Sequence, residues 1–167
     1  MTDTLPPAGM PAPFVSSVMK IQPDWIDYNG HLNMAYYHVL LDRGIDEAFL
    51  LLGLGEQYVK ERKASFFTVE AHICYLKELG QNDPVVVRTR LLDYDAKRAH
   101  VVQELVHAED GWISATLELM SLHVDMVAKR AAAWPDDVLE RLAEMHAAHA
   151  HLPVPPQVGR VMKIRRP

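Results

Sequence analysis

Residues 25–37 read WIDYNGHLNMAYY, and in this one stretch an apolar segment ends, the chain turns sharply and a long helix begins. Asn29-Gly30 is a turn dipeptide, because Gly30 takes a positive φ at no steric cost, and Asn33 is a good N-cap for the apolar run that follows. The spacing predicts that Asp27 faces the helix N-terminus. There the first backbone N–H groups lack partners within the helix and the peptide dipoles add partial positive charge, so an oxyanion beside a carboxylate is stabilised. A carboxylate set against an oxyanion pocket suggests ester chemistry.

Working outward, FVSSVMKIQPDWI (14–26) places Phe14, Val15, Val18 and Ile21 in an extended apolar pattern closed by Pro23, which predicts a first strand at a sheet edge. Residues 1–13 hold four prolines and few bulky groups and read as a disordered or draped arm. On the other side, residues 34–52 form a helical pattern stopped by Gly53 and Gly55. His38, Asp42, Arg43, Asp46 and Glu47 fall on one stripe and the remainder is apolar, so this helix is expected to be wrapped over most of its circumference.

Four β-like segments follow at 65–77, 84–94, 98–108 and 112–126, joined by the turns ELGQNDP, DYDAK and AEDG, with GEQYVKERK before them as a polar connector. Short links imply antiparallel pairing. In the first segment Phe67, Val69, Ala71, Ile73 and Tyr75 alternate with Thr68, Glu70, His72 and Cys74, which predicts an apolar face and a polar face. The sheet must bury its apolar face on the helix before it, giving an α+β layer fold. PDDVLERLAEMHAAHA (135–150) reads as a second, amphipathic helix packed outside the sheet, and residues 151–167 as a Pro-rich tail that ends basic and extended. The folded domain is thus expected over 14–150.

At 167 residues and 49% hydrophobic the chain is long enough to bury one core, and a net charge of −5 with pI near 6.0 offers no global attraction to nucleic acid or anionic membrane. The lone Cys74 rules out an intrachain disulfide framework and fits a reducing compartment. No signal-like n-region and no apolar run of spanning length is present, so cytoplasmic residence is the expectation. The nine histidines are scattered, apart from His146, His149 and His151 near the end, and no metal site is expected.

The order strand, helix, four strands, with D27-Y28-N29-G30-H31-L32-N33 at the first passage, resembles the hotdog-fold acyl-CoA thioesterases of the 4-hydroxybenzoyl-CoA thioesterase type, over about residues 14–128. Asp27, Gly30, His31, Asn33, Ala35 and Tyr36 or Tyr37 carry the match. Trp25 departs from it, standing where many relatives have a second Asp. PDWIDYNGHLNMAYY is also similar to bacterial thioesterases of carnitine breakdown that act on betainyl-CoA. The resemblance implies a hotdog fold, with a five- to six-stranded antiparallel sheet around a long central helix and an added C-terminal helix. It also implies hydrolysis of acyl-CoA with Asp27 as nucleophile or general base, an oxyanion hole at the N–H of about Met34, and sites built from both subunits of a dimer. Coenzyme A enters as part of the substrate and no separate cofactor is implied.

Around that centre, His31 either contacts the substrate carbonyl or bridges the turn, and Asn33 is first a helix cap and second a substrate contact. Gly30 shapes the turn against the substrate. Trp25, Tyr28, Tyr36 and Tyr37 offer aromatic faces to a cationic acyl group, or core. Glu70 and His72 share a strand face, either solvated or reaching a partner's site. Lys97 and Arg98 follow the DYDAK turn and, by resemblance, contact the CoA phosphates; the plain alternative is hairpin-end charge. The expected assembly is a homodimer, with a homotetramer as the alternative, and no nucleic acid or membrane partner. Two rival functions stand beside hydrolysis: a hotdog hydratase or dehydratase using His31 and Glu70, and a non-catalytic acyl-CoA-binding module.

Overall fold

The computed structural model describes residues 9–164 and 166. Its order is β1 (Phe14–Val15), β2 (Met19–Lys20), a 3-10 turn (Pro23–Trp25), α1 (Met34–Leu50), α2 (Glu56–Arg62), β3 (Ala64–Tyr75), β4 (Pro84–Tyr94), β5 (Arg98–His107), β6 (Ile113–Asp125), β7 (Arg130–Ala131) and α3 (Asp136–His149). The sheet runs β1-β4-β5-β6-β3, antiparallel throughout, with β2 also on β4 and β7 on β6. This is the expected α+β hotdog arrangement.

α1 crosses the sheet's inner face. Tyr37, Leu40, Leu41, Gly44, Ile45, Ala48 and Phe49 are its buried side, and Gly44 lets the helix settle onto Val87 of β4. The other side is open rather than wrapped: Met34 is 64% and Leu50 58% exposed, with His38, Asp42 and Asp46 beside them. Sheet covers one flank of the helix only.

Three local expectations change. The first strand is broken into β1 and β2, because Ser16 Oγ accepts the Val87 N–H at 2.9 Å and Ser17 gives both its N–H and its hydroxyl to Glu47. Side-chain bonds thereby replace ladder bonds. The polar connector 55–63 contains helix α2, anchored by buried Tyr58, whose hydroxyl lies 2.8 Å from His123 Nε2. In β3 a bulge between Thr68 and Glu70 reverses the alternation. Phe66 and Thr68 face α1 before it and Ala71 and Ile73 after it, which leaves Phe67 53% and Val69 49% exposed instead of on the helix face.

α3 does not lie outside the sheet. Its Val138, Leu142 and Met145 join the same core cluster as Leu40 and Phe49, and its Arg141 abuts Gly53 at the end of α1. His149 at the end of α3 is fully buried: Nδ1 accepts the Leu91 N–H at 2.9 Å and Nε2 donates to Pro11 O at 2.8 Å. That bond ties down residues 9–13; the expected arm over 1–8 lies outside the described residues. The tail is anchored on the sheet's outer face, where Arg90 donates to Leu152 O and Gly159 N–H to Glu118 Oε2 at 2.7 Å. Residues 165 and 167 lie outside the described set.

Candidate active site

The turn before α1 is built from backbone bonds that the sequence dictates. Asp27 N–H donates to His31 O at 2.9 Å and Gly30 N–H to Asp27 O at 3.0 Å, with Gly30 at φ +84 closing the loop. Asp27 Oδ1 accepts the Asn29 N–H at 2.8 Å. Asp27 is therefore a turn-forming acid, as Asx chemistry favours, but through one oxygen only; Oδ2 has no hydrogen-bond partner among the described residues.

Asn33 then sets the helix start. Its N–H donates to Trp25 O at 2.9 Å, its Oδ1 caps the Ala35 N–H at 3.0 Å, and its own carbonyl takes the Tyr36 N–H at 3.0 Å. The Met34 N–H is left with no partner among the described residues. Asp27, Asn33 and Met34 line one cavity of about 510 Å³. A thioester carbonyl placed there would have a donor at its oxygen and a base or nucleophile at its carbon.

Two tyrosines form the wall. Tyr37 and Tyr75 meet edge to face at 5.0 Å, and the Tyr75 hydroxyl donates to Met34 O at 3.4 Å. Burial pushes both phenols above their ordinary value, and for Tyr37 the Glu78 and Asp27 charges add to the push. They stay protonated as donors. Lys77 and Glu78, at the end of β3, complete the rim. Tyr75, Lys77 and Glu78 are not among the sequence candidates for the site; the Tyr75 hydroxyl on Met34 O and the Leu32 N–H on Leu79 O, at 2.8 Å, hold this segment against the helix start.

The other sequence candidates scatter. His31 is half exposed, with Nε2 4.0 Å from Glu78 Oε1 at the cavity's edge. Tyr28 lines the cavity but is 98% exposed. Trp25 and Tyr36 stack on each other at 5.2 Å, and Arg43 lies over Trp25 at 5.4 Å, so these rings serve one another. Glu70 and His72 lie on the outer face of the sheet, with His100, Glu118 and Arg160 around a separate cavity of about 450 Å³. Within one chain His31 and Glu70 are not brought together.

Lys97 and Arg98 sit at the far end of the sheet. Tyr75 pairs with Ala115 and Arg98 with Leu122, a separation of roughly 23 Å along β6 at about 3.3 Å per residue. Arg98 is already engaged by Asp95, at 2.6 and 2.8 Å, and this holds the Asp95 carboxyl down to about 2.

Comparison with known proteins fits this geometry. The model of the thioesterase-like superfamily matches residues 21–142. A betainyl-CoA thioesterase of Pseudomonas aeruginosa is 38% identical over 142 residues, covering 85% of this chain and 89% of the relative. An L-carnitine dehydrogenase/betainyl-CoA thioesterase of Rhizobium is 33% identical over 147 residues, but the chain spans only 29% of that longer protein. Among solved structures, the hypothetical protein SAV2348 from Staphylococcus aureus, in complex with CoA, superposes with a TM-score of 0.86 at 26% identity, covering 96% of this chain and 100% of that one. A putative thioesterase from Pseudomonas putida gives 0.78 at 32%, covering 95% and 100%. With the match running from the turn before Asp27 into α3, the chain belongs to the thioesterase-like superfamily.

Proposed function

We propose that this protein hydrolyses a short acyl-CoA to the free acid and coenzyme A, with Asp27 as the reacting carboxylate and the Met34 N–H as oxyanion donor. The observation that supports the reading is the shared cavity: Asp27 and Met34, whose Oδ2 and N–H are unpartnered among the described residues, both line it. In the base route Asp27 takes a proton from water, the hydroxide oxygen bonds to the carbonyl carbon, and the oxyanion collapses with loss of the CoA thiolate. In the nucleophile route Asp27 bonds to the carbonyl carbon, the thiolate leaves, and water cleaves the resulting anhydride. Both routes use water and side chains alone, without a metal or an organic cofactor. Betainyl-CoA, the substrate named for the Pseudomonas aeruginosa relative, is the first substrate to try, and the CoA in the Staphylococcus aureus neighbour supports a CoA thioester as ligand.

We further propose a homodimer joined along β3, a twelve-residue strand with β6 as its one neighbour among the described residues. The test of function is thiol release from a panel of acyl-CoAs by the wild type and Asp27→Asn. A fall of about 10²–10⁴ in kcat with the fold intact is expected. Label from ¹⁸O-water found in the Asp27 side chain after a single turnover would establish the nucleophile route, with water attacking the aspartyl carbonyl of the anhydride, since the base route places all of the label in the product acid. Equal activity of the two proteins would remove Asp27 from the chemistry.

A further inference from the structure

The chain after α3 is a strap that crosses the outer face of the sheet along one row of the ladder. Arg90, Val102, Glu118 and His72 stand level with one another on β4, β5, β6 and β3. Arg90 holds Leu152 O at the start of this row. Further along it, Glu118 Oε2 accepts the Gly159 N–H at 2.7 Å while its Oε1 lies 2.8 Å from His100 Nε2. Gly159 and Arg160 then border the outer cavity beside Glu70 and His72 of β3. The strap thus travels from β4 to the free edge of the sheet.

The residues that follow have nothing of their own chain beneath them. Val161 is 72%, Met162 84% and Ile164 84% exposed, whereas Leu152, Gln157 and Val158 are partly covered where the strap lies on the sheet. Such a run of apolar side chains open to water marks a contact surface. Neighbouring strands stand about 4.8 Å apart and an extended chain advances about 3.3 Å per residue. Starting from Gly159 over β6, the strap passes β3 at Arg160 or Val161. Met162 then lies about one strand spacing beyond the edge, and Ile164 about two.

The bulge in β3 says what stands at those two places when a second copy pairs along the edge. In an isologous antiparallel pair, residues directly opposite each other face the same side of the sheet. Full overlap of two Ala64–Tyr75 strands sets first against last, and so His72 against Phe67. These two are an odd number of residues apart, which in a regular strand would aim them at opposite faces. The extra residue between Thr68 and Glu70 reverses the alternation, so Phe67 and His72 both turn away from α1 and full overlap is allowed. The row that the strap follows then continues from His72 onto Phe67 of the second copy, which is 53% exposed in the single chain, and onto Leu122, its neighbour in β6.

We propose that the segment Val161–Ile164 docks on the outer face of a second copy of this chain, Met162 on its Phe67 and Ile164 on its Leu122, with the two straps crossing reciprocally. The inference rests on the β3 homodimer proposed above and is independent of the hydrolase chemistry. It adds a contact that edge pairing alone lacks: each strap clamps the partner's edge strand, and apolar side chains exposed on both sides leave water together.

The test uses the full chain carrying Cys74→Ser, so that no native thiol interferes. Chains with Phe67→Cys and chains with Met162→Cys, differently tagged, are co-expressed, oxidised and run on a non-reducing gel. A covalent mixed dimer is expected, and neither variant alone should give one, because like positions stand roughly 15 Å apart across the axis, beyond disulfide reach. With both substitutions in one chain the disulfide must still join two chains. Thiols consumed within a single chain would show the strap folded back on its own edge, and thiols left free would show it in water; either overturns the proposal. His72→Cys with Phe67→Cys reads the β3 pairing itself. A link there without one to Met162 keeps the dimer and removes the strap contact, whereas no link at either place, with the light scattering of a monomer, removes both. Ending the chain at Arg160 should raise the dimer dissociation constant about tenfold or more with the circular dichroism of the fold unchanged. An unaltered constant also overturns the proposal.

Discussion

Gly44 of α1 and Val87 of β4 meet with no room between them: a Cβ on Gly44 would stand 2.5 Å from both Cβ and Cγ1 of Val87. The helix therefore lies one side-chain layer closer to the sheet here than any other residue would allow. Gly44→Ala should destabilise the fold by about 1–3 kcal/mol through overpacking, despite the better helix propensity of alanine. Urea denaturation measures this. Val87→Ala in the same chain should recover part of the loss, and a purely additive double variant would show that the two residues are not in contact.

How far the sequence reaches can be judged from such pairs. The turn at Asn29-Gly30, the cap at Asn33 and the order of the long elements α1, β3 to β6 and α3 follow from local chemistry, and all three stand as read. The face of Phe67 and Val69 does not, because the bulge after Thr68 is a property of the β3–β6 pairing and leaves no local signature. Tyr75 and Glu78 join the site through bonds between distant parts of the chain, the Tyr75 hydroxyl on Met34 O and the Leu32 N–H on Leu79 O. Helix α2 was hidden by its polarity: its single buried residue, Tyr58, is held by His123, 65 residues away.

Asn33 holds two jobs at the start of α1, capping Ala35 and bracing the loop through Trp25 O. Asn33→Ala should cost about 1 kcal/mol of stability from the lost cap. It should also lower kcat, since fraying of the first turn disorders the Met34 amide. Asn33→Ser keeps a cap and should keep most of both. Thermal melts paired with thiol-release kinetics decide it; a stability loss with unchanged kcat would detach the cap from the chemistry.

His149 makes the fold sensitive to acid. Burial holds its imidazole below the ordinary histidine range, with Arg90, His146 and His151 adding repulsion, while the bond to Pro11 O opposes the shift. The neutral ring accepts from Leu91 N–H and the protonated ring cannot. The folded pKa is depressed, so the unfolded chain binds more protons in between. The stabilisation is thus complete above the unfolded value near 6.5 and is lost as pH falls below it toward the folded value. His123, depressed by burial in the same way, adds to the slope. Urea midpoints should fall from pH 7 to pH 5 in the wild type and fall less steeply in His149→Gln; parallel slopes would exclude His149 as a source.

The bare edge of β3 carries the assembly prediction. Eleven of its twelve residues pair with β6 on one side, and Phe67 and Val69 stay half exposed around the bulge, a liability that soluble proteins seldom leave uncovered. Light scattering at micromolar concentration should give twice the chain mass of 18.9 kDa. Val69 is the extra residue of the bulge and has no ladder partner in β6, so Val69→Lys leaves the fold of the chain undisturbed while charging the edge. The variant should shift toward monomer. Because the α1–β3 seam opens along this edge, thiol release should fall with the dimer and recover as protein concentration rises. A wild type that scatters as a monomer at full activity would show that one chain completes its own site.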